Sequence, residues 1–240
     1  MPRLGLGANL GVVMSPPEEE FSNTHSLDFD GTDDYVGFTM ANDFSSGAFS
    51  ISVWAKFNNA ANGSSHQALV SKSSTGNSAF FVGVLSNGKL RFYMRDSGGT
   101  GFSVETTGSA FSDDTWYHIV ATMASDDTAN IYVDGDAVRD PKASSPRTNN
   151  GDIRIGEAND SYWGCIDGFI DEVTIWSSEL SSSNVTTLYN SGTPNDASAQ
   201  GISGLLSYFK LDNSNADEEE YAGSVTTNSS PAFSTDVPPN

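Results

Sequence analysis

The stretch FSISVWAKF, residues 49–57, decides the fold class because its apolar and polar residues alternate without a break. Phe49, Ile51 and three further apolar residues fall on one face of an extended chain, and the residues between them fall on the other. A period of two over nine residues predicts a β-strand that packs one face into a core.

Similar strand patterns recur along the chain. Asn87-Gly88 and Asp134-Gly135 each separate two such patterns, and both dipeptides favour tight hairpin turns. Many short strands with regularly spaced turns predict an all-β fold, a two-sheet antiparallel jelly-roll sandwich. The further strands are predicted at 79–85, 89–95, 115–125, 129–138, 152–157, 165–176 and 205–212.

One short helix is predicted within residues 177–192. Ser181 is a suitable N-cap, Val185 and Leu188 are spaced for one apolar face, and Gly192 favours a stop. We expect this helix to lie across one end of the sandwich.

The composition restricts the partners. The 240 residues hold 11 Lys plus Arg against 31 Asp plus Glu, a net charge of −20. Such a surface repels nucleic-acid phosphates and anionic lipid headgroups, so neither nucleic acid nor a membrane is an expected partner. Cys165 is the single cysteine, which excludes an intrachain disulfide.

The chain divides at about residue 20. Residues 1–20 read as an N-terminal arm and spacer, because a Gly-rich apolar run leads to Pro16-Pro17 and then to three glutamates. We expect residues 1–15 to contact another chain, and no signal peptide is expected. Residues 21–240 form the predicted domain, with 204–240 supplying completing strands and a tail.

An ordered set of segments resembles a known family. SLDFDGTDDYV (26–36), FSISVWAKF, TWYHIVATMASDDTANIYVDGDAV (115–138), IRIGEANDSYWGCIDGFIDEVTIWSSELS (153–181) and VTTLYNSG (185–192) occur in that order. Together they resemble the concanavalin A-like, laminin-G-like jelly-roll domains, in particular their bacterial and phage branch. The resemblance implies one concave and one convex antiparallel sheet, with a short helix near the end.

One segment departs from the order of that family. GLLSYFKLD, residues 204–212, follows the helix, whereas its counterpart in the family usually precedes the FDG motif. The order resembles a circular permutation, which sandwich folds tolerate because their termini lie close together. A truncated second repeat is the alternative. If the chain is permuted, residues 204–212 form a strand close to the FDG strand.

The aspartates of residues 26–38 suggest a calcium site. Ca²⁺ prefers hard oxygen ligands in flexible geometry, and the motif resembles that of calcium-binding laminin-G-like relatives. The expected ligands are Asp30 and Asp33, with Asp171 as the distant partner that the resemblance implies. Hydrogen bonds within a turn, without metal, are the alternative. Asp28 and Asp34 are expected to be ordinary solvated charges.

A sugar-binding loop is predicted at GEANDSYWG, residues 156–164. Asn159 and Asp160 could fix hydroxyl groups while the ring of Tyr162 stacks on a pyranose. By the resemblance, Trp163 packs into the sandwich instead.

Catalysis is not expected, so the protein is predicted not to be an enzyme. Asp167 and Asp171 share a strand face, but four residues place them about 13 Å apart. Glycoside hydrolases that retain configuration need two carboxylates about 5–5.5 Å apart. His118 is expected to be a half-buried, hydrogen-bonded histidine rather than a catalytic one.

These observations favour a non-catalytic surface protein of a bacteriophage virion: a capsid decoration, a fibre or another appendage. It would form a homo-oligomer in the assembly, contact other virion proteins through residues 1–15, and could bind a cell-surface glycan. The alternative is a bacterial extracellular carbohydrate-binding or adhesion module, and a glycoside hydrolase is third. The expected location is the virion surface or, in the alternative, the extracellular space.

Overall fold

Two β-sheets lie face to face in the computed structural model, which describes residues 21–42, 44–74, 77–95, 100–138, 142–143, 151–159, 162–219, 225–228 and 230–239. The predicted arm and spacer, residues 1–20, lie outside these ranges. The two-sheet antiparallel sandwich with one short helix confirms the predicted fold class.

Sheet A contains nine strands within the described residues, numbered along the chain. They are β1 (Ser26–Asp30), β3 (Phe49–Phe57), β8 (Trp116–Met123), β9 (Thr128–Val133), β10 (Asp136–Ala137), β11 (Lys142–Ala143), β14 (Asp167–Trp176), β15 (Leu205–Phe209) and β17 (Ala232–Ser234). Their order is β10-β9-β8-β3-β14-β1-β17, with β11 beside β9 and β15 beside β14.

Sheet B contains the other eight strands of the described ranges. They are β2 (Tyr35–Phe38), β4 (His66–Ser74), β5 (Asn77–Val84), β6 (Leu90–Arg95), β7 (Gly101–Glu105), β12 (Asp152–Ile155), β13 (Trp163–Gly164) and β16 (Val225–Asn228). Their order is β16-β2-β12-β4-β5-β6-β7, with β13 beside β4. The two-residue strand β13 runs parallel to β4, so this short pair departs from the predicted antiparallel pattern.

Both predicted hairpin turns are present. Gly88 has φ +77°, and its N–H donates to the carbonyl of Leu85. Asp134 and Gly135 both have positive φ, +52° and +84°, as a two-residue hairpin turn requires.

The core lies between the sheets, and β3 contributes the alternating apolar face that its sequence predicts. The opposite face of β3 is buried as well, with Ser50, Ser52, Trp54 and Lys56 all below 9% exposed. This second face is covered because the helix and the segment that follows it pack on the outside of sheet A.

The helix α1 (Ser182–Tyr189) begins where the sequence predicts. The side chain of Ser181 accepts the N–H of Asn184, and the Asn184 side chain returns a bond to the backbone of Ser181. The helix ends at Asn190 in the left-handed conformation, and short 3-10 turns follow at Asn190–Gly192 and Ala197–Gln200. Val185 and Leu188 pack with Trp176 and Tyr208, which closes the outer face of sheet A.

Strand β15 belongs to the same sandwich. It pairs antiparallel with the second half of β14, with Phe209 opposite Val173, while β1 pairs with the first half, with Leu27 opposite Ile170. β1 and β15 therefore lie end to end along one edge of β14. This position of β15 is what a strand that completes the sandwich would occupy. That the chain order is circularly permuted stays a prediction.

The outer face of sheet B remains partly accessible. Along β6 the residues alternate between buried and half-buried, and the half-buried ones, Arg91, Tyr93 and Arg95, point away from the core. None of the described helices is long and apolar enough to cross a membrane. Within the described residues, α1 and the segment after it cover the outer face of sheet A, so the outer face of sheet B is the more accessible of the two.

Candidate functional site

The exposed aromatic ring of Tyr162 marks the outer face of sheet B. Tyr162 is 57% exposed, whereas its neighbour Trp163 is only 4% exposed. The His66 ring lies 4.5 Å from the Tyr162 ring and 5.4 Å from that of Trp163, between ring centroids. Parallel pairing of β13 with β4 places Trp163 opposite His66 and so brings the three rings together.

Trp163 supports this group from below. Its indole stacks on Phe81 with 5.4 Å between centroids, and Phe81 in turn contacts Tyr93. A Cβ atom at Gly83 would lie 2.7 Å from the indole, so only glycine leaves room for it there. Trp163 thus packs on the outside of sheet B and not between the sheets, which corrects the packing that the resemblance implied. We call Tyr162, Trp163, His66, Phe81 and Tyr93 the aromatic patch.

The predicted sugar-binding loop folds back over the outer face of sheet B. Ser71 donates its hydroxyl to the carbonyl of Glu157, and the backbone N–H of Asn159 donates to Ser73 Oγ at 2.9 Å. Asn159 is thereby fixed on the same face as the aromatic patch. Asp160, the third predicted ligand-binding residue, lies outside the described residues.

Arginines are concentrated on this face. The three arginines within the described ranges, Arg91, Arg95 and Arg154, all lie on β6 or β12 and alternate with core residues. Arg91 donates to Glu105 Oε1 at 2.9 Å from Nε and 2.7 Å from Nη2. Arg154 pairs with Glu157 and lies over a Tyr35 ring 4.1 Å away. The face thus offers donors and acceptors side by side.

His66 is held in its neutral form at ordinary pH. Its Nδ1 accepts the backbone N–H of Ser86 at 2.9 Å, which requires an unprotonated nitrogen. Partial burial lowers the pKa of His66, and the nearby charge of Arg91 lowers it further. The pairing of His66 with Trp163 joins residues nearly a hundred positions apart, so no local sequence pattern marks His66 as part of this group.

The aspartate motif forms a compact carboxylate cluster. Carboxylate oxygens of Asp30, Asp33 and Asp34 lie within 4.8 Å of one another. Asp34 Oδ2 accepts the N–H of Asp30, and Asp30 Oδ1 accepts the N–H of Thr32. Gly31 has φ +75°, and a Cβ there would lie 2.9 Å from that of Asp167. The turn therefore needs glycine for its conformation and its packing.

Two expectations about these acids are wrong. Asp171 does not reach the cluster, because the register places Asp167 opposite Asp30, and Asp171 lies four residues further along β14. Its side chain is instead buried and bonded to Asn23. Asp34 is not a solvated charge: it is 5% exposed, and burial followed by the charges of Asp30 and Asp33 raises its pKa.

His118 is more buried than expected. It is 1% exposed, and its Nε2 forms a 2.7 Å hydrogen bond with Ser52 Oγ. Burial lowers the pKa of His118 to about 3. A neutral histidine beneath α1 cannot contact a substrate, which agrees with the predicted structural role.

Solved structures share this fold. A candidate carbohydrate-binding protein from Bacteroides ovatus is 18% identical, with a TM-score of 0.67 over 91% of this chain and 62% of the other. A heptameric SAP-like pentraxin from Limulus polyphemus is 14% identical, with a TM-score of 0.59 over 88% and 94%. The ligand-binding domain of botulinum neurotoxin serotype D, solved with N-acetylneuraminic acid, is 16% identical, with a TM-score of 0.55 over 72% and 43%.

At these identities the likeness concerns the fold, and the chain spans less than two thirds of the Bacteroides protein and the neurotoxin chain. A search of curated proteins finds no match. The family description "Concanavalin A-like lectin/glucanases superfamily" matches residues 30–186, which is more than half of the chain. The protein therefore belongs to the concanavalin A-like lectin/glucanase superfamily, through its laminin-G-like branch.

Proposed function

We propose that this domain binds a glycan on the outer face of sheet B, at the aromatic patch. The observation that carries the proposal is the ring of Tyr162, 57% exposed and supported by His66 and Trp163. A flat exposed ring with polar groups beside it suits the apolar face and the hydroxyl groups of a pyranose. Asn159 and Asp160 are the proposed polar ligands, and the fold shared with the Bacteroides protein adds support.

The proposed ligand is uncharged. On a chain with a net charge of −20, an anionic polysaccharide meets general repulsion. Arg91 and Arg154 do not offset this, because each is paired with a glutamate. Paired charges can still donate to and accept from hydroxyl groups, so a neutral glycan fits this face best.

Affinity electrophoresis in gels that contain one polysaccharide each tests the proposal. The panel holds neutral chains (β-glucan, mannan, galactan) and anionic ones (alginate, carrageenan). Retardation by a neutral chain, little changed by salt, is expected. Tyr162→Ala should strongly reduce the retardation, whereas Phe233→Ala, which alters a 39%-exposed aromatic on sheet A, should leave it unchanged. Equal mobility of wild type in all gels would remove the proposal.

A non-catalytic role is part of the proposal. Asp171 and Glu172 are adjacent carboxylates, but they are 0% and 5% exposed, so a polysaccharide cannot reach them. Because the superfamily includes glucanases, the polysaccharides of the panel should also be tested for reducing ends after prolonged incubation. Release of reducing ends by wild type would contradict the non-catalytic role.

Calcium is proposed at the carboxylate cluster of Asp30, Asp33 and Asp34, with Asp34 in place of Asp171. Three carboxylates within 4.8 Å offer the oxygen ligands that Ca²⁺ prefers. The hydrogen-bonded turn without metal is the alternative, because Asp30 and Asp34 already accept backbone N–H groups.

The setting in which the domain works is proposed from the sequence. We retain the surface of a bacteriophage virion, with residues 1–15 as the contact to neighbouring proteins and the domain as a homo-oligomer, and an extracellular bacterial module as the alternative. Deletion of residues 1–17 should leave a folded domain that no longer joins its assembly. A deletion variant that still assembles would remove the role of the arm.

A further inference from the structure

A β-bulge brings two acidic side chains together on the outer side of sheet A. Ile170 and Val173 are three residues apart, yet both lie in the core between the sheets. Asp171 and Glu172 between them therefore share the outer side of β14, where the pairing with β3 shifts register. Glu172 has φ +50°, a conformation that glutamate rarely adopts. Neighbouring carboxylates are thus buried in the middle of a strand.

The hydrogen bonds of Asp171 suit an ionised carboxylate. Its Oδ2 accepts Nδ2 of Asn23 at 2.9 Å, and its Oδ1 accepts the backbone N–H of Glu172 at 3.0 Å. Each oxygen thus receives an N–H donor. Burial raises the pKa of Asp171 well above its ordinary value, and these two donors offset only part of that rise because they favour the charged form.

Glu172 has one donor where Asp171 has two. Its Oε2 contacts the hydroxyl of Tyr208, and its Oε1 is buried without a hydrogen-bond partner. An ionised Glu172 would leave a bare anionic oxygen in the interior beside the charge of Asp171, which is costly. A neutral carboxyl group removes the repulsion and leaves only an uncharged oxygen without a partner, which costs less. Burial, followed by the charge of Asp171, raises the pKa of Glu172 well above its ordinary value.

The surrounding charges do not neutralise the pair. Lys210 is the positive charge that lowers the pKa of Glu172, but its Nζ is paired with Asp196 at 3.2 Å. The negative charge of Asp212 adds to the repulsion at Asp171. Trp54, opposite Asp171 on β3, is uncharged. A cation in place of a proton would need several free oxygens, and three of the four carboxylate oxygens already accept hydrogen bonds.

We propose that the folded domain holds one proton on the carboxyl group of Glu172 at neutral pH, and that this proton keeps two segments docked on β14. One segment is residues 21–25, whose Asn23 is hydrogen-bonded to Asp171. The other is residues 205–219, whose Tyr208 is hydrogen-bonded to Glu172. The backbone N–H of Tyr208 donates to Asp217, and its carbonyl accepts the N–H of Glu218. These two bonds hold both ends of the second segment together. Loss of the proton would place two anions side by side beneath both segments.

Folding at neutral pH then takes up one proton from solvent, because the unfolded chain has an ionised Glu172. The folded pKa is raised, so the stabilisation is complete below the ordinary glutamate pKa and is lost as the pH rises through the folded pKa. Within that window, the unfolding equilibrium constant should increase about tenfold per pH unit relative to a chain without this group.

Urea unfolding between pH 5 and 9 tests this with Glu172→Gln, which keeps the shape and removes the acid. The ratio of wild-type to variant unfolding constants should rise with pH by up to about tenfold per unit. The exposed Glu179, changed to Gln, is the matched control, and its ratio should stay flat. His118 and the other acids are common to these chains, so their contributions cancel. A flat ratio for Glu172→Gln would overturn the proposal.

Infrared spectroscopy of the wild type gives a second test, which holds even if the variant fails to fold. The carbonyl band of a protonated carboxyl group should be present at pH 7 and vanish at higher pH. Amide-hydrogen exchange in residues 205–219 should accelerate over the same range. Absence of the band at pH 7 would refute the proposal. So would a Ca²⁺-induced rise in Tm that is present in wild type and lost in Glu172→Gln, which would assign a metal instead.

Discussion

Two adjacent aromatic residues, Tyr162 and Trp163, should respond to alanine substitution in opposite ways. The ring of Tyr162 is largely open to solvent, whereas Trp163 is 4% exposed and stacked on Phe81. If the aromatic patch binds a glycan, Tyr162 contributes to affinity and little to stability. Trp163 should contribute mainly to stability, because its indole forms the support of the patch.

The effect of Tyr162→Ala follows from the area that the ring offers. With 57% of its surface exposed, a residue that buries about 150–250 Å² when covered leaves roughly 100 Å² available. A sugar that covers one face removes about half of this area from water. At about 25 cal/mol per Å² the loss is about 1.3 kcal/mol, or about a tenfold increase in Kd. Thermal stability should change little, since the ring packs loosely.

Trp163→Ala removes a buried side chain, and such substitutions destabilise by about 3–5 kcal/mol. The indole also fills the space above Gly83, and its loss leaves a cavity that the strand cannot close. Both variants should be measured by isothermal titration with the neutral polysaccharide that retards wild type, and by urea unfolding.

Tyr162→Ala that binds as tightly as Phe233→Ala would place the glycan elsewhere and refute the site. Trp163→Ala that unfolds at the wild-type urea concentration would contradict the support assigned to the indole. A third pattern, in which both variants lose affinity and stability equally, would show that loop folding and binding cannot be separated here.

Three further predictions concern metal binding, truncation of the C-terminal segment and pH. Chelation should lower the Tm of wild type by removing bound Ca²⁺, and Asp33→Asn should abolish that sensitivity; an unchanged Tm with chelator favours the hydrogen-bonded turn. Truncation after Gly201 removes the fully buried Tyr208 and Phe209, so the shortened chain should aggregate on size-exclusion chromatography, whereas an equally soluble chain would make this segment dispensable. Because the folded pKa of His118 is about 3 against an ordinary 6.5, the unfolded chain binds the proton first on acidification. His118 should therefore cost about 1.4 kcal/mol of stability per pH unit below about pH 6.5, a slope that urea titrations of His118→Gln should lack.

Local signals made much of the fold predictable. The alternation of residues 49–57, the two hairpin dipeptides and the Ser181 cap each act over a few residues, and all three are present in the structure. Strand register is different, because it depends on which distant segment pairs. The sequence could not show that Asp167 and not Asp171 would lie opposite Asp30, and the predicted third calcium ligand was wrong for that reason.

The bulge in β14 illustrates a second limit. Strict alternation over residues 165–176 places Asp171 and Glu172 on opposite faces of the sheet. The positive φ of Glu172 places both on one face, and no glycine or asparagine in the sequence marks the position. A non-glycine residue in this conformation persists only where surrounding contacts hold it, here the bonds to Asn23 and Tyr208. Both partners come from segments far away in the chain.

The location of the candidate glycan site depends on the same long-range contacts. The second face of β3, with Ser50, Ser52 and Lys56, is as polar as the second face of β6. Within the described residues, however, the face of β3 is buried and that of β6 is partly accessible. Alternation alone therefore cannot decide which sheet meets solvent. The outer face of sheet A is covered by α1 and by the C-terminal segment. In that segment, Asp236 bonds to Lys56 and Trp116 across this face. Because these segments occupy sheet A, the loop that carries Tyr162 lies on the sheet face that, among the described residues, stays accessible to a polysaccharide.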